Sequence, residues 1–138
     1  MAETKPAPVI DPDSALYWQA LHDEQLRIKQ CMVCGKCHFY PRELCPHCHS
    51  DDLSWIEASG RGVIYSFTVC RRPAGPAFAA DVPYTVALVD LEEGPRMMTR
   101  IDGDPAKVAI GMNVKVRFER QSDELVLPFF KLVEPDVD

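Results

Sequence analysis

Two Cys-x-x-Cys pairs, Cys31/Cys34 and Cys45/Cys48, stand ten residues apart. No other feature restricts the fold as much. A Cys-x-x-Cys turn brings two thiolates to one side of a tight loop. Two such turns facing each other put four soft ligands at the corners of a tetrahedron, the arrangement that Zn²⁺ takes. The spacer is shorter than is usual in zinc sites. It still holds a strand, a turn and a return, enough for a small zinc ribbon. Cys37, His38, His47 and His49 are also ligand types, so residue chemistry alone leaves the set open. The four paired cysteines are the expected one.

Other uses of the cysteines fit less well. Nothing resembles a signal peptide, and a reducing compartment keeps thiols free, which argues against a disulfide framework. A thioredoxin-type redox pair opens a helix in a βαβ unit, whereas here Pro41 and Pro46 stand beside and inside the second pair. Rubredoxin-type iron sites place their pairs much further apart. Cys37 and Cys70 are left over and read as ordinary thiols.

The rest of the chain must supply a conventional core. It has 138 residues, of which 46 % are hydrophobic, enough for one ordinary domain or a small one with a metal-stapled appendage. No apolar run approaches the ~18 residues of a membrane span, so the expectation is a soluble, cytoplasmic chain. Residues 1–59 carry 5 basic and 9 acidic side chains, residues 60–138 carry 10 and 12, and the net charge is −6. Neither half suits a partner held by phosphate neutralisation, which argues against nucleic acid.

Three segments follow: residues 1–25 as an arm and helix, 26–57 as the ribbon, and 58–138 as a barrel. Residues 1–10 read as a loose arm. Asp11 is the expected N-cap and Pro12 the first residue of a helix to His22, with Leu16, Tyr17, Ala20 and Leu21 as its apolar stripe. Alternating Leu26-Arg27-Ile28-Lys29 leads into the first knuckle, and Leu53 to Glu57 leads out. Gly60-Arg61-Gly62 predicts a bend or bulge. Val63 to Val69 predicts a strand with Val63, Tyr65, Phe67 and Val69 on one face. A long loop spans residues 71–83. Strands are then expected at Tyr84–Leu91, at Arg96–Ile101, from Val114 to Glu119, and from Leu125 to Val133. Pro128 marks the last as an edge or bulged strand. One helical turn is expected within residues 105–110, and residues 134–138 form an acidic tail. Five strands with little helix fit an OB-type barrel, with an SH3-like barrel as the alternative.

The order of the initial helix, Leu26-Arg27-Ile28-Lys29-Gln30-Cys31-Met32-Val33-Cys34-Gly35, Tyr40-Pro41-Arg42-Glu43-Leu44-Cys45-Pro46-His47-Cys48, Ser59-Gly60-Arg61-Gly62, Pro83-Tyr84, Val89-Asp90-Leu91 and Ile110-Gly111-Met112 resembles the zinc-ribbon/OB-fold family. It is also known as domain of unknown function 35, a group of acyl-CoA-associated proteins. The likeness runs from about residue 12 to 133. It implies a mostly β chain: a helix, a rubredoxin-like zinc ribbon and a five-stranded OB barrel. It implies structural zinc on Cys31, Cys34, Cys45 and Cys48. It also implies a non-catalytic subunit in a hetero-oligomer with a thiolase-like enzyme (a thiolase, acyl-CoA synthase or aldolase), helping to form its acyl-CoA site. Some relatives accompany hot-dog-fold hydratases.

The residues agree with a non-catalytic role. A zinc with four protein ligands has no open position for water, and three of the four histidines crowd the ribbon. For the phosphates of CoA, Arg71 and Arg72 at the end of an apolar strand are the first candidates, followed by Arg61, Lys115 and Arg117. Trp18, Phe78, Phe129 and Phe130 are the expected interface anchors. The competing reading is an OB module for nucleic acid or oligosaccharide, faintly supported by Lys115 and Arg117 beside Phe129 and Phe130.

Overall fold

A computed structural model describes residues 5–133. The expected acidic tail, and the first four residues of the arm, lie outside that range. Residues 5–10 carry no regular structure, and Lys5 reaches Asp81 with Nζ at 2.6 Å.

Helix α1 runs over Ala15–His22, three residues shorter than expected. Asp11 still caps, but it caps the turn before the helix. The N–H and Oγ of Ser14 both donate to Asp11 Oδ1, at 2.9 and 2.7 Å. Tyr17, Ala20 and Leu21 are buried, whereas Leu16, expected on the same stripe, is exposed. Tyr17 is the hub of an aromatic cluster, with ring centroids 5.0 Å from Trp18, 5.5 Å from Phe39 and 5.7 Å from Tyr40. Trp18 Nε1 donates to Tyr40 Oη at 2.9 Å. An eight-residue helix is marginal alone; here it docks on this chain's own ribbon.

The ribbon sheet has β1 (Arg27–Cys31), β2 (Cys37–His38) and β3 (Leu53–Glu57), antiparallel in the order β2-β1-β3. Ile28 pairs with Ile56, and Leu26 and Ile28 are buried.

The barrel is closed and has the order β4-β5-β6-β8-β7, formed by β4 (Arg61–Cys70), β5 (Tyr84–Leu91), β6 (Arg96–Asp102), β7 (Asn113–Arg120) and β8 (Val126–Leu132). Only β6 and β8 pair parallel. This is the OB fold, and the SH3-like alternative is set aside. A single 3₁₀ turn at Pro105–Lys107, capped by Asp104, stands where one helical turn was expected. Ile64, Ala87, Val89, Met97, Ile101, Val114 and Phe130 fill the interior, and the same cluster continues through Tyr17, Leu21, Leu26 and Ile28. Helix, ribbon and barrel thus share one core. No helix among the described residues is long and apolar enough to cross a membrane.

Three expectations about the barrel need revision. The chain does bend at Gly60, where φ is 82°, but the bulge lies further on, at Tyr65, between the pairs Ile64↔Val89 and Ser66↔Leu88. The extra residue switches the alternation. Ile64 therefore points inward while Val63 and Tyr65 are exposed, and Phe67 packs against the core beyond the bulge. Second, β8 is not an edge strand. It pairs with β7 along its length and with β6 at Ile101↔Phe130 and Asp102↔Lys131. Pro128 lies outside that short β6 ladder, where its missing N–H costs nothing, and its carbonyl accepts from Thr99 Oγ1 at 3.1 Å. Third, Phe130 is fully buried and cannot anchor a partner, and Trp18 is half-buried in the aromatic cluster.

At Gly62 the neighbouring strand β5 leaves no room for a side chain. A Cβ there would lie 2.5 Å from Val89 Cγ1 and 2.8 Å from the Asp90 carbonyl oxygen. Backbone cannot yield as a side chain can, so Gly62→Ala should lower unfolding stability by about 1–3 kcal/mol, as overpacking does. Urea unfolding measures this, and an unchanged midpoint would contradict the close approach.

Candidate metal centre

Each Cys-x-x-Cys segment folds into the same knuckle. Cys31 N–H donates to Lys36 O at 2.9 Å and Cys45 N–H to Ser50 O at 2.8 Å; Gly35 N–H returns to Cys31 O at 2.9 Å and His49 N–H to Cys45 O at 2.8 Å. The closing residues have positive φ, 79° at Gly35 and 68° at His49. Glycine adopts this freely, whereas histidine does so only under constraint. A glycine fills this place after the first pair, and a histidine fills it after the second.

The two knuckles place all four Sγ atoms within 4.8 Å of one another. Cys31 and Cys48 sulfurs are 3.5 Å apart, and Cys34 and Cys45 sulfurs 3.7 Å. A tetrahedron with Zn–S of about 2.3 Å has edges of about 3.8 Å, close to these two edges, so the cluster suits Zn²⁺. Backbone N–H groups point at the sulfurs: Val33 and Cys34 at Cys31, His47 at Cys45, each at 3.4 Å. The Cys34 N–H, foremost, pulls the Cys31 thiol down to about 6. At Cys48 the hydrogen bond from Ser50 acts downward, but the neighbouring sulfurs and burial push it up to about 12. Four adjacent thiolates cannot all ionise unless a cation sits among them. Zinc would supply that cation as a structural ion, with no position left for a reacting water.

Cys37, His38, His47 and His49 stay out of this cluster, the only convergence of three or more such ligands among the described residues. His38 is 3 % exposed and neither ring nitrogen has a hydrogen-bond partner among the described residues. Burial, chiefly, lowers its pKa, helped by the charges of Lys29, Arg42 and His47.

The five basic candidates do not form one site. Arg71 and Arg72 are exposed just beyond β4, without an ion pair among the described residues. Arg61 begins β4 and faces Lys115 across the β4–β7 ladder. Ten residues of strand put the two ends about 30 Å apart. Arg117 is already held by Asp102 and by Glu119 at 2.8 Å, and these carboxylates, Asp102 first, raise its pKa above the ordinary arginine value. Of the expected aromatic anchors, Phe78 and Phe129 are half-buried; Lys5 lies over the first ring, and Arg100 and Arg117 over the second.

One cleft was missed entirely. Between the ribbon and the β5–β6 turn lies a cavity of about 590 Å³, bordered by Lys36, His38, Arg42, His47, Glu93 and Arg96. These residues are far apart in sequence and only the docking of ribbon on barrel gathers them, so no local pattern could have revealed it.

Two family models match the chain: "ChsH2, rubredoxin-like zinc ribbon domain" over residues 18–54 and "ChsH2, C-terminal OB-fold domain" over residues 55–119. A solved chain described as "Ltp2-ChsH2(DUF35) aldolase" superposes with a TM-score of 0.81 at 39 % identity, over 91 % of this chain and 98 % of that one. A "Probable enoyl-CoA hydratase alpha subunit" of Thermomonospora curvata is 39 % identical over 95 % of this chain but only 41 % of its own length. A "DUF35 domain-containing scaffold protein" of Methanocaldococcus jannaschii is 36 % identical over 69 % of this chain and 68 % of its own. The "Benzoylsuccinyl-CoA thiolase subunit BbsA" of Geobacter metallireducens is 33 % identical over 54 % of this chain and 49 % of its own.

Proposed function

The chain belongs to the ChsH2/DUF35 family of zinc-ribbon and OB-fold proteins, and from that membership we propose that it is a non-catalytic subunit of a thiolase-like enzyme that helps to form the acyl-CoA site. One observation carries this reading: the likeness to the solved chain described as "Ltp2-ChsH2(DUF35) aldolase" extends over 98 % of that chain. The thiolase and scaffold names among the relatives support it. One Zn²⁺ held by Cys31, Cys34, Cys45 and Cys48 is its structural metal. Thiolates that must stay reduced suit the cytoplasm, where we place the assembly.

The partner reaction we propose is making or breaking a carbon–carbon bond on a CoA thioester. The hydratase name of the relative that matches 95 % of this chain favours a second reading, a hot-dog-fold hydratase as partner. Purification of the native complex and identification of its large subunit separates the two. Turnover of acyl-CoA by the isolated small chain would refute both.

For the CoA contact, Arg71 and Arg72 remain the first candidates; like Arg61 and Lys115 they are exposed and unpaired among the described residues. Arg117 is the poorest, since two carboxylates already hold it. Replacing Arg71 and Arg72 by Ala should raise the KM of the assembled complex for acyl-CoA about threefold to tenfold with kcat unchanged, the signature of lost ground-state binding. Unaltered kinetics in an intact complex would leave the pair as ordinary surface charge.

A further inference from the structure

Three cations stand in one line across the barrel. Arg61 of β4 is the ladder partner of Lys115 of β7, and Lys115 is in turn the partner of Lys131 of β8. Directly opposed residues share a face of the sheet. Neighbouring strands lie about 5 Å apart, so the row is about 10 Å long. All three residues are exposed, and none forms an ion pair among the described residues. Elsewhere the barrel pairs its charges. Asp90 and Arg96 are ladder partners joined at 2.6 Å, Arg100 reaches Asp81, and Arg117 is held by Asp102 and Glu119. Asp102 lies beside Lys131 in the parallel ladder, but both its oxygens accept from Arg117. Glu24 and Glu57 border a cleft with Lys115 and Lys131 and form no ion pair with either.

Like charges directly opposite one another on a sheet are unfavourable. This chain has a net charge of −6, yet it leaves the row uncompensated. Beside the row lies a cavity of about 800 Å³, which Arg61 and Lys115 share with Val63, Leu91, Asn113 and Val133. Val63 and Val133 are exposed there. Ile110 and Met112 are exposed on the adjoining turn, which is hydrogen-bonded to Ile64 of β4. Asp90 and Glu92 also border the cavity, the first bound by Arg96 and the second accepting from Ser59 Oγ at 3.1 Å. Exposed apolar side chains with a charged rim mark protein contacts. One compact anion reaches one or two members of such a row, whereas carboxylates strung along a segment of chain reach all three. We propose that this face of β4, β7 and β8 docks an acidic segment of a partner protein, with its carboxylates on Arg61, Lys115 and Lys131 and its apolar side chains in the cavity. On the subunit reading above, on which this identification of the partner rests, the segment belongs to the large subunit. Arg61 and Lys115 then serve protein contact, and the CoA contact stays with Arg71 and Arg72.

Lys115→Glu separates docking from folding. It sets a carboxylate between two cations, so the urea midpoint should not fall. In the native complex the same change should weaken association with the large subunit at least tenfold, and added salt should weaken the unaltered complex more than the variant. Undiminished association would overturn the proposal and leave the subunit reading intact. Absence of any large subunit would end that reading alone, and a direct titration then decides. NMR titration of the zinc-loaded full chain uses a short peptide of glutamate and leucine, its lysine counterpart, and coenzyme A. The acidic peptide should bind saturably and shift the signals of Lys115, Lys131 and Val63, but not those of Lys36 and Arg42, which are exposed cations elsewhere. Lys115→Glu should weaken this binding at least tenfold. A chain ending at Val133, without the acidic residues 134–138, should bind the peptide equally. No saturable binding, equal binding of the lysine peptide, or the same shifts with coenzyme A would each overturn the proposal. So would tenfold tighter binding by the shortened chain, which would make residues 134–138 the occupant.

Discussion

Stripping the metal with a chelator, or replacing Cys31 by Ser, should release zinc, unfold the ribbon sheet and lower the stability of the whole chain. Zinc-finger peptides derive about 10–16 kcal/mol of apparent free energy from metal at neutral pH, more than most small domains possess in total. Residues 26–57 contribute few buried apolar side chains apart from Leu26 and Ile28, so the sheet has little to hold it once the thiolates are free. A ribbon packed apart from the barrel would leave the barrel partly intact after this loss. The shared core argues otherwise: Leu26 and Ile28 belong to the same cluster as Ile64, Val89 and Phe130, and freeing them exposes one end of the barrel packing. Circular dichroism and thermal unfolding with and without chelator, alongside elemental analysis, provide the measurement. A purified chain containing no zinc, or an unchanged melting curve after zinc is removed, would exclude a structural metal.

Phe130→Ala should be the most damaging change outside the metal site. Phe130 has no exposed surface, sits opposite Val116 in the β7 ladder and beside Ile101 where β6 meets β8. Truncating a buried phenylalanine costs about 3–5 kcal/mol, from lost burial and the cavity left behind. Out of a total of about 5–15 kcal/mol, that brings the fold close to failure. Any loss of partner association in this variant should therefore follow loss of fold, not loss of an anchor. Urea denaturation decides it, since a cost below about 1 kcal/mol would mean that the side chain is not in the core.

Much of the centre was legible because its information is local. Two thiolates three residues apart reach one ion whatever the rest of the chain does, and Gly35 announces the left-handed residue that closes the first knuckle. The five barrel strands were legible for a similar reason, since β-branched and aromatic runs bounded by Gly, Pro and Asp set extended segments apart. The phase of β4 was not. Both faces of Val63 to Val69 carry residues that suit a strand, so one bulge at Tyr65 could reverse the first half without leaving a mark in the pattern.

By itself, then, the sequence determined the two Cys-x-x-Cys turns, the order of helix, ribbon and barrel, and the family. Each depends on contacts between residues near one another along the chain or on motif order. Tertiary structure alone decided which phenylalanine fills the core, which arginine is already neutralised by Asp102 and Glu119, and that β8 closes the barrel despite Pro128. It also brought Lys36, His38 and Arg42 against Glu93 and Arg96, some fifty residues away in the chain. Burial and charge pairing depend on which surfaces meet. That is set by the closure of the sheet and the docking of the ribbon against it, which no single segment encodes.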